Sequence, residues 1–304
     1  MIKIISFNDR PEQIGGAQIP AYAFKAWMDI FGIESEIVTT PDEAVGADWY
    51  FLATPGPFNG GAWELDAPFA LMAHAEFDSQ LYKDFGWYLG HPNCKLFVTI
   101  TDFWGWINKP KLHWHPCTHP DYLLTEGTIF NKDFKEGIIY AARISRWKSP
   151  NLLAALTKYG PFMEAVDNQV HIIGKPSSDF EIDEGNYIRI DTRYDSRKVS
   201  DTKKMFSVYK YFWDYASHPE ISNRYKRLNL AAYEAISEGC IPVVNPKYTD
   251  PSAIKFGIDL TKGFPNTRRE YILRQDYMKE VMINKGLSYN GVKDQVVKIV
   301  EFMS

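Results

Sequence analysis

Three cations stand within six residues in Arg143-Ile-Ser-Arg146-Trp-Lys148. A guanidinium meets paired oxygens as a fork and an ammonium acts as a point charge, so the group suits a diphosphate. A solvated basic loop would carry the same residues. Glu234 lies in Leu230-Ala-Ala-Tyr-Glu-Ala-Ile-Ser-Glu-Gly-Cys-Ile-Pro-Val-Val. On the first turns of a helix facing a cleft, its carboxylate can accept both hydroxyls of a ribose. Glu238, beside the helix-ending Gly239, is the surface residue of the pair. Asp102 closes an apolar run and precedes Phe103-Trp104-Gly105-Trp106. A carboxylate there, between aromatic walls, is placed to take a proton as a general base, or simply to cap a loop. Gly15-Gly16 follows the first apolar run and lets backbone approach a phosphate or sugar, although no G-x-G-x-x-G fingerprint is present. His113-Trp-His115-Pro-Cys117-Thr-His119 offers four metal-ligand types in seven residues. Its spacing matches no standard zinc site, and Pro116 and Pro120 make it an irregular loop. We therefore assign no metal and read His113 and His115 as hydrogen-bonding groups.

These side chains need elements that bring them to one rim. Strand signals occur at Ile2–Phe7, Glu36–Thr39, Trp49–Ala53 and Lys95–Thr101, with a helix over Ala17–Phe31 stopped by Gly32. Thr54–Gly61 is a Gly/Pro loop, Pro68–Tyr88 is expected to be helical in part, and 103–133 reads as loop. The pattern restarts near residue 134. Strands are expected at Ile138–Ala142, Val170–Ile173, Tyr187–Ile190 and Ile241–Val244. Helices are expected at Asn151–Tyr159, Thr202–Tyr215, Leu228–Ser237, Thr267–Asn284 and Gly291–Met303. Alternating strands and helices predict parallel sheets covered on both faces. Two such units would face a cleft, with ligands outside the carboxyl ends of the strands. Gly15, Gly16, Asp102, Arg143 and Gly174 each follow or close a strand and so fall near that cleft.

The chain has 304 residues, enough for two domains, and 45% apolar with 24% charged residues excludes disorder. The apolar runs are strand-sized, so nothing in them spans a membrane, and MIKIISF lacks the features of a signal peptide. Three scattered cysteines fit reduced thiols and a cytoplasmic location. The net charge of −4 argues against a whole-surface polyanion binder. Nucleic-acid contact would need a local patch, for which Lys109, Lys111 and the histidines are available. Aromatics at 15% suit stacking on sugars or bases, and suit a packed core equally well.

Taken together, the motifs resemble the nucleotide-sugar glycosyltransferases of the GT-B fold. The resemblance runs through Ile14-Gly15-Gly16-Ala17-Gln18, Arg143 with Lys148 five residues on, Val170–Gly174, and Glu234-Ala with Gly239 and Pro242-Val-Val. It implies two doubly wound Rossmann-like domains and a C-terminal helix closing back. Residues 1–133 with 286–304 would bind acceptor, and 134–285 the nucleotide sugar. It further implies that Gly15, Gly16, Arg143, Arg146, Lys148, Gly174 and Glu234 bind a nucleotide-diphosphate sugar, UDP-linked by preference. A divalent metal is compatible with this chemistry but not required, because Arg and Lys neutralise the leaving group. Two positions depart from the pattern: Lys226 stands where a second Glu is usual, and Thr101-Asp102 where His-Asp is usual. A looser resemblance, to the DNA β-glucosyltransferases of T-even phages, implies Asp102 as base and inversion. It also implies a hydroxymethylated pyrimidine in DNA as acceptor, held by Trp104, Trp106, His113 and His115. Alternatives are a cell-surface saccharide or lipid-linked acceptor, or a non-transferring epimerase or binding relative. No oligomeric state is implied. A nicotinamide oxidoreductase is disfavoured by the missing glycine fingerprint.

Overall fold

A computed structural model describes residues 1–6, 18–54, 65–73, 86–100, 107–130, 135–142, 144, 149–175, 180–191, 195–215, 228–249 and 251–304. The chain packs as two units, Met1–Asp121 with Tyr289–Ser304, and Tyr122–Ser288. The sequence reading divided the chain at 133/134 and 285/286. Packing divides it at 121/122 because Leu124 and Phe130 are buried in the core of the second unit.

The first unit is built on β1 (Ile2–Ser6), β2 (Ser35–Val38), β3 (Trp49–Thr54), β4 (Phe69–Ala73), β5 (Cys94–Thr99) and β6 (Lys111–His113). They form one parallel sheet in the order β2-β1-β3-β4-β5-β6. β1 and β4 are buried at every residue, as expected for central parallel strands covered on both faces. Helix α1 (Ile19–Phe31) lays Ala23, Phe24, Trp27 and Met28 on the sheet, and left-handed Gly32 ends it. Phe24 stacks on Phe51 of β3 with ring centroids 3.7 Å apart.

In this unit one expectation is met only in part and one fails. Of Pro68–Tyr88, expected to be helical in part, 86–88 are helical and 74–85 lie outside the described residues, but Phe69–Ala73 is β4. An unbroken apolar run such as FALMA has no polar alternation, so periodicity cannot separate a buried strand from a buried helix. The loop expected over 103–133 contains β6, which exists through its ladder to β5, pairing Phe97 with Lys111 and Thr99 with His113.

The second unit comprises β7 (Ile138–Ala141), α2 (Pro150–Leu156), α3 (Gly160–Ala165), β8 (Val170–Ile173), β9 (Ile188–Ile190), α4 (Val199–Phe206), β10 (Tyr211–Asp214), α5 (Leu230–Ser237), β11 (Ile241–Val244), α6 (Pro251–Phe256), β12 (Ile258–Asp259) and α7 (Arg268–Asn284). Its parallel sheet runs β12-β11-β10-β7-β8-β9. Read from the other edge, that is the doubly wound dinucleotide-fold order. Alternate residues feed two cores: Ile138, Tyr140, Tyr211, Trp213, Ile241 and Val243 on one face, Ile139, Ala141, Phe212 and Val244 on the other.

The helix expected over Thr202–Tyr215 stops at Phe206, and Tyr211-Phe-Trp-Asp214 is the central strand β10. Aromatic residues favour a pleated, packed surface, and the ladder to β7 and β11 overrides the apparent helical spacing. The last helix, α8 (Tyr289–Met303), returns to the first unit. Tyr289 meets Trp27 at 5.1 Å, Phe302 meets Trp49 at 6.3 Å, and Gln295 Oε1 accepts the backbone N–H of His115 at 2.7 Å. Among the described residues no helix is long and apolar enough to cross a membrane.

Candidate active site

In the second unit β7 and β10 lie side by side, and the chain winds away from them in opposite directions. This is the switch point, where a crevice opens outside the carboxyl ends of the strands. The chain leaving β7 is held to its neighbour. Ala142 N–H donates to Ile173 O at 3.2 Å, and Ile144 N–H donates to Lys175 O at 3.1 Å. The Ile144 side chain is fully buried. The backbone N–H groups of Ala142 and Ile144 are therefore anchored to β8 and its exit. Arg143, Arg146 and Lys148 themselves lie outside the described residues.

Gly174 supplies the space for this crossing. A Cβ there would collide with the carbonyl oxygen of Ala142 and press on the Ile144 side chain. The Gly174 N–H is used as well, donating to Ile190 O at 3.1 Å. The glycine has a packing reason of its own: only hydrogen fits between the exits of β7 and β8.

Glu234 sits in the middle of α5 and is 1% exposed. It is not the solvated helical carboxylate that an isolated reading allows. A carboxylate is rarely this buried without partners. Two ties hold its helix. At the amino end, Asp214, the last residue of β10, accepts the backbone N–H of Asn229 at 3.1 Å, and its other oxygen accepts the Asn229 side-chain amide. At the carboxyl end, Gly239 turns into β11 with φ +81°. Its carbonyl accepts Gln275 Nε2 at 2.6 Å and Tyr271 Oη–H at 3.2 Å. Burial pushes the Tyr271 phenol far above its ordinary value, so it stays a donor. Sequence reading did not find Asp214, Asn229, Tyr271 or Gln275. The available signal was an Asn directly before a helix and an Asp closing an aromatic run.

In the first unit, Gly15, Gly16, Asp102, Trp104 and Trp106 lie outside the described residues. The histidine segment is described. His113 ends edge strand β6 and is exposed, His115 and His119 are half-buried, and Cys117 is fully buried. His119 Nδ1 accepts the backbone N–H of Asp121 at 3.2 Å. Among the described residues no three His, Cys, Asp or Glu side chains group to hold a metal ion. All three cysteines are buried, and burial pushes the Cys240 thiol up to about 12.

No family model matches the sequence, and no curated protein matches it. Solved structures do match the whole chain. One is an alpha-glucosyltransferase in complex with UDP and a 13-mer DNA containing an HMU base, at TM-score 0.59 and 11% identity, covering 99% of this chain and 94% of that one. Another is described as trehalose-6-phosphate from E. coli bound with UDP-2-fluoro glucose, at TM-score 0.59 and 11% identity, covering 100% and 99%. The fold is GT-B. A third GT-B structure is an alpha,alpha-trehalose-phosphate synthase (UDP-forming) from Burkholderia xenovorans in complex with glucose-6-phosphate. It reaches TM-score 0.51 at 11% identity, covering 93% of this chain and 76% of that one. In GT-B terms the second unit, with its dinucleotide-fold sheet, is the Rossmann-like half that holds Gly174 and Glu234.

Proposed function

We propose that this chain is a glycosyltransferase that moves a sugar from a UDP-sugar to an acceptor hydroxyl. The observation that carries the reading is the switch point between β7 and β10. Arg143, Arg146 and Lys148 follow the first of these strands in sequence, and the helix of buried Glu234 is tied to the end of the second. Full-length likeness to structures holding UDP or a UDP-sugar supports it.

In the proposed reaction the acceptor oxygen bonds to the anomeric carbon. The bond from that carbon to the β-phosphate oxygen breaks, and UDP leaves with the electron pair. Arg143, Arg146 and Lys148 offset the charge that grows on the diphosphate, the step where fixed cations accelerate most. Glu234 holds the ribose, Gly15 and Gly16 bind the donor, and Asp102 takes the acceptor proton. Closure over the donor would exclude water and suppress its hydrolysis.

For the acceptor we propose a hydroxymethylated pyrimidine in phage DNA, with Trp104, Trp106, His113 and His115 as its contacts and the host cytoplasm as the location. The DNA-bound alpha-glucosyltransferase among the similar structures supports this choice. A base attacked in this way must leave the duplex stack. A sugar phosphate is the second reading, favoured by the glucose-6-phosphate complex.

The test is a transfer panel of UDP-, GDP- and CDP-sugars against hydroxymethylated DNA, unmodified DNA, glucose-6-phosphate and no acceptor. Digested nucleosides are read by mass spectrometry. A hexose- or pentose-sized gain on the hydroxymethylated base is expected with a UDP-sugar. Transfer to glucose-6-phosphate alone moves the acceptor to the second reading. Absence of both turnover and nucleotide binding overturns the transferase reading. The anomeric proton coupling of the product then gives the stereochemistry. With an α-linked donor, a β product fits Asp102 as base. An α product assigns the acceptor proton to the departing phosphate and makes Asp102 dispensable as base.

A further inference from the structure

We propose that Asp214 is a positioning residue for the donor ribose, because its carboxylate grips Asn229 and so sets the helix that carries Glu234. The proposal rests on the reading of Glu234 as the ribose ligand. Asp214 closes β10, one of the two strands at the switch point, and is 7% exposed. Asn229 is the residue before α5, with an extended backbone at φ −66° and ψ 157°. An Asn at that position ordinarily caps its own helix. Here its side chain makes no cap hydrogen bond and donates to Asp214 instead, beside the backbone N–H that donates to the second oxygen at 3.1 Å. Each carboxylate oxygen thus accepts from Asn229, and the negative charge lies at the end of α5 that favours it.

The geometry makes this grip consequential. Helix α5 has only eight residues, with Glu234 the fifth. Its far end is immobilised by the Gly239 carbonyl, which holds Gln275 and Tyr271, and by the Lys135 ammonium, which donates to the Glu238 carbonyl. With the carboxyl end anchored and Ala232, Tyr233, Ala235 and Ile236 packed in the core, the Asp214 contact fixes where the amino end of the helix starts. Ribose hydroxyls held by one carboxylate lose their hydrogen bonds when that group moves by about 1 Å, because the contact then exceeds hydrogen-bond distance.

The experiment measures calorimetric affinity of the full chain for UDP and for 2′,3′-dideoxy-UDP. The proteins are wild type, Asp214→Asn, Glu234→Gln and the double variant, with circular dichroism confirming the fold. Wild type is expected to prefer UDP by about tenfold or more, the value of charge-assisted hydrogen bonds to the hydroxyls. Each single variant is expected to bring the ratio near one, and the double variant to lower it no further. A merely structural Asp214 would weaken both ligands together and leave their ratio intact, which overturns the proposal. If Glu234→Gln keeps the full ratio, the ribose reading itself has failed and the proposal falls with it. If wild type binds neither nucleotide, the transferase reading has failed. Should Asp214→Asn not fold, Asn229→Ala removes only the side-chain half of the grip and is judged by the same ratio.

Discussion

The two sheets have six parallel strands each, yet they are held differently. Among the described residues, the first unit has side-chain hydrogen bonds near the amino ends of β1 and β3, along the β5–β6 edge, on α1, and just after β2, where the Glu43 carboxylate accepts the Thr39 and Thr40 N–H groups. Lys3 Nζ donates to Glu43 O at 2.6 Å, Tyr50 Oη–H donates to Asp66 at 2.5 Å, and Gln295 meets His115. Its core includes three rings in mutual contact, Phe24, Phe51 and Trp114. The second unit has a network at its amino ends too, around Gly239, and adds ties at the carboxyl ends through Ile144–Lys175, Gly174–Ile190 and Asp214–Asn229. One alternating strand–helix rule builds both sheets. In the second, these crossings fix where the next residues start; in the first, Trp114 N–H donates to Thr99 O at 3.0 Å where β6 and β5 end.

The largest expected effect breaks the aromatic core of the first unit. Phe24→Ala removes a fully buried ring stacked at 3.7 Å and should cost about 3–5 kcal/mol. Hydrogen exchange should localise the loss to β1–β6 and spare β7–β12. Equal loss in both sheets would erase the contrast drawn between them. Next comes Arg143→Ala, expected to lower kcat roughly 10²- to 10³-fold with unfolding unchanged, while Arg143→Lys recovers part of the rate. Full activity in Arg143→Ala would remove the cation cluster from the mechanism.

Gly174→Ala sharpens the comparison at the rim. The new methyl meets backbone, which cannot rotate away, so a destabilisation of about 1–3 kcal/mol is expected. Because the displaced backbone leads into residue 143, UDP affinity should fall as well, read by calorimetry. A Gly174→Ala protein with wild-type melting and wild-type affinity would show that the crossing is not tight.

The smallest effect is a pH dependence in the second unit. Burial lowers the His171 pKa below 6.5. The unfolded chain then takes up this proton first as pH falls, so stability is retained above about 6.5 and lost below it. Urea midpoints at pH 7.5 and 5.5 should differ more for wild type than for His171→Phe, whose ring can keep the edge contact with Tyr209.

Much of the scaffold was legible because it is local. Gly32 ends α1 where expected, Thr267 caps α7 through the Glu270 N–H, and the apolar spacing of Val292, Val296 and Met303 marks α8. The failures share a cause. Phe69–Ala73, Lys111–His113 and Tyr211–Asp214 became strands because neighbours accept their hydrogen bonds, and a ladder partner is not written in a strand's own residues. Glu234 was legible as a carboxylate in a glycine-ended helix. That it is buried, and which residues hold its helix, was not.

The sequence by itself determined where α1, α5, α7 and α8 lie and that strands and helices alternate in two series, since caps, turns and periodicity act within a few residues. It also supplied the cations, carboxylates and aromatic rings available for chemistry. Tertiary structure alone decided the strand order, and with it the switch point between β7 and β10. It decided that Gly174 must be glycine because Ala142 lies against it, and that Asp214 and Asn229, far apart in the chain, share hydrogen bonds. Those outcomes depend on which surfaces meet when two apolar faces are buried together, and no short stretch of chain carries that information.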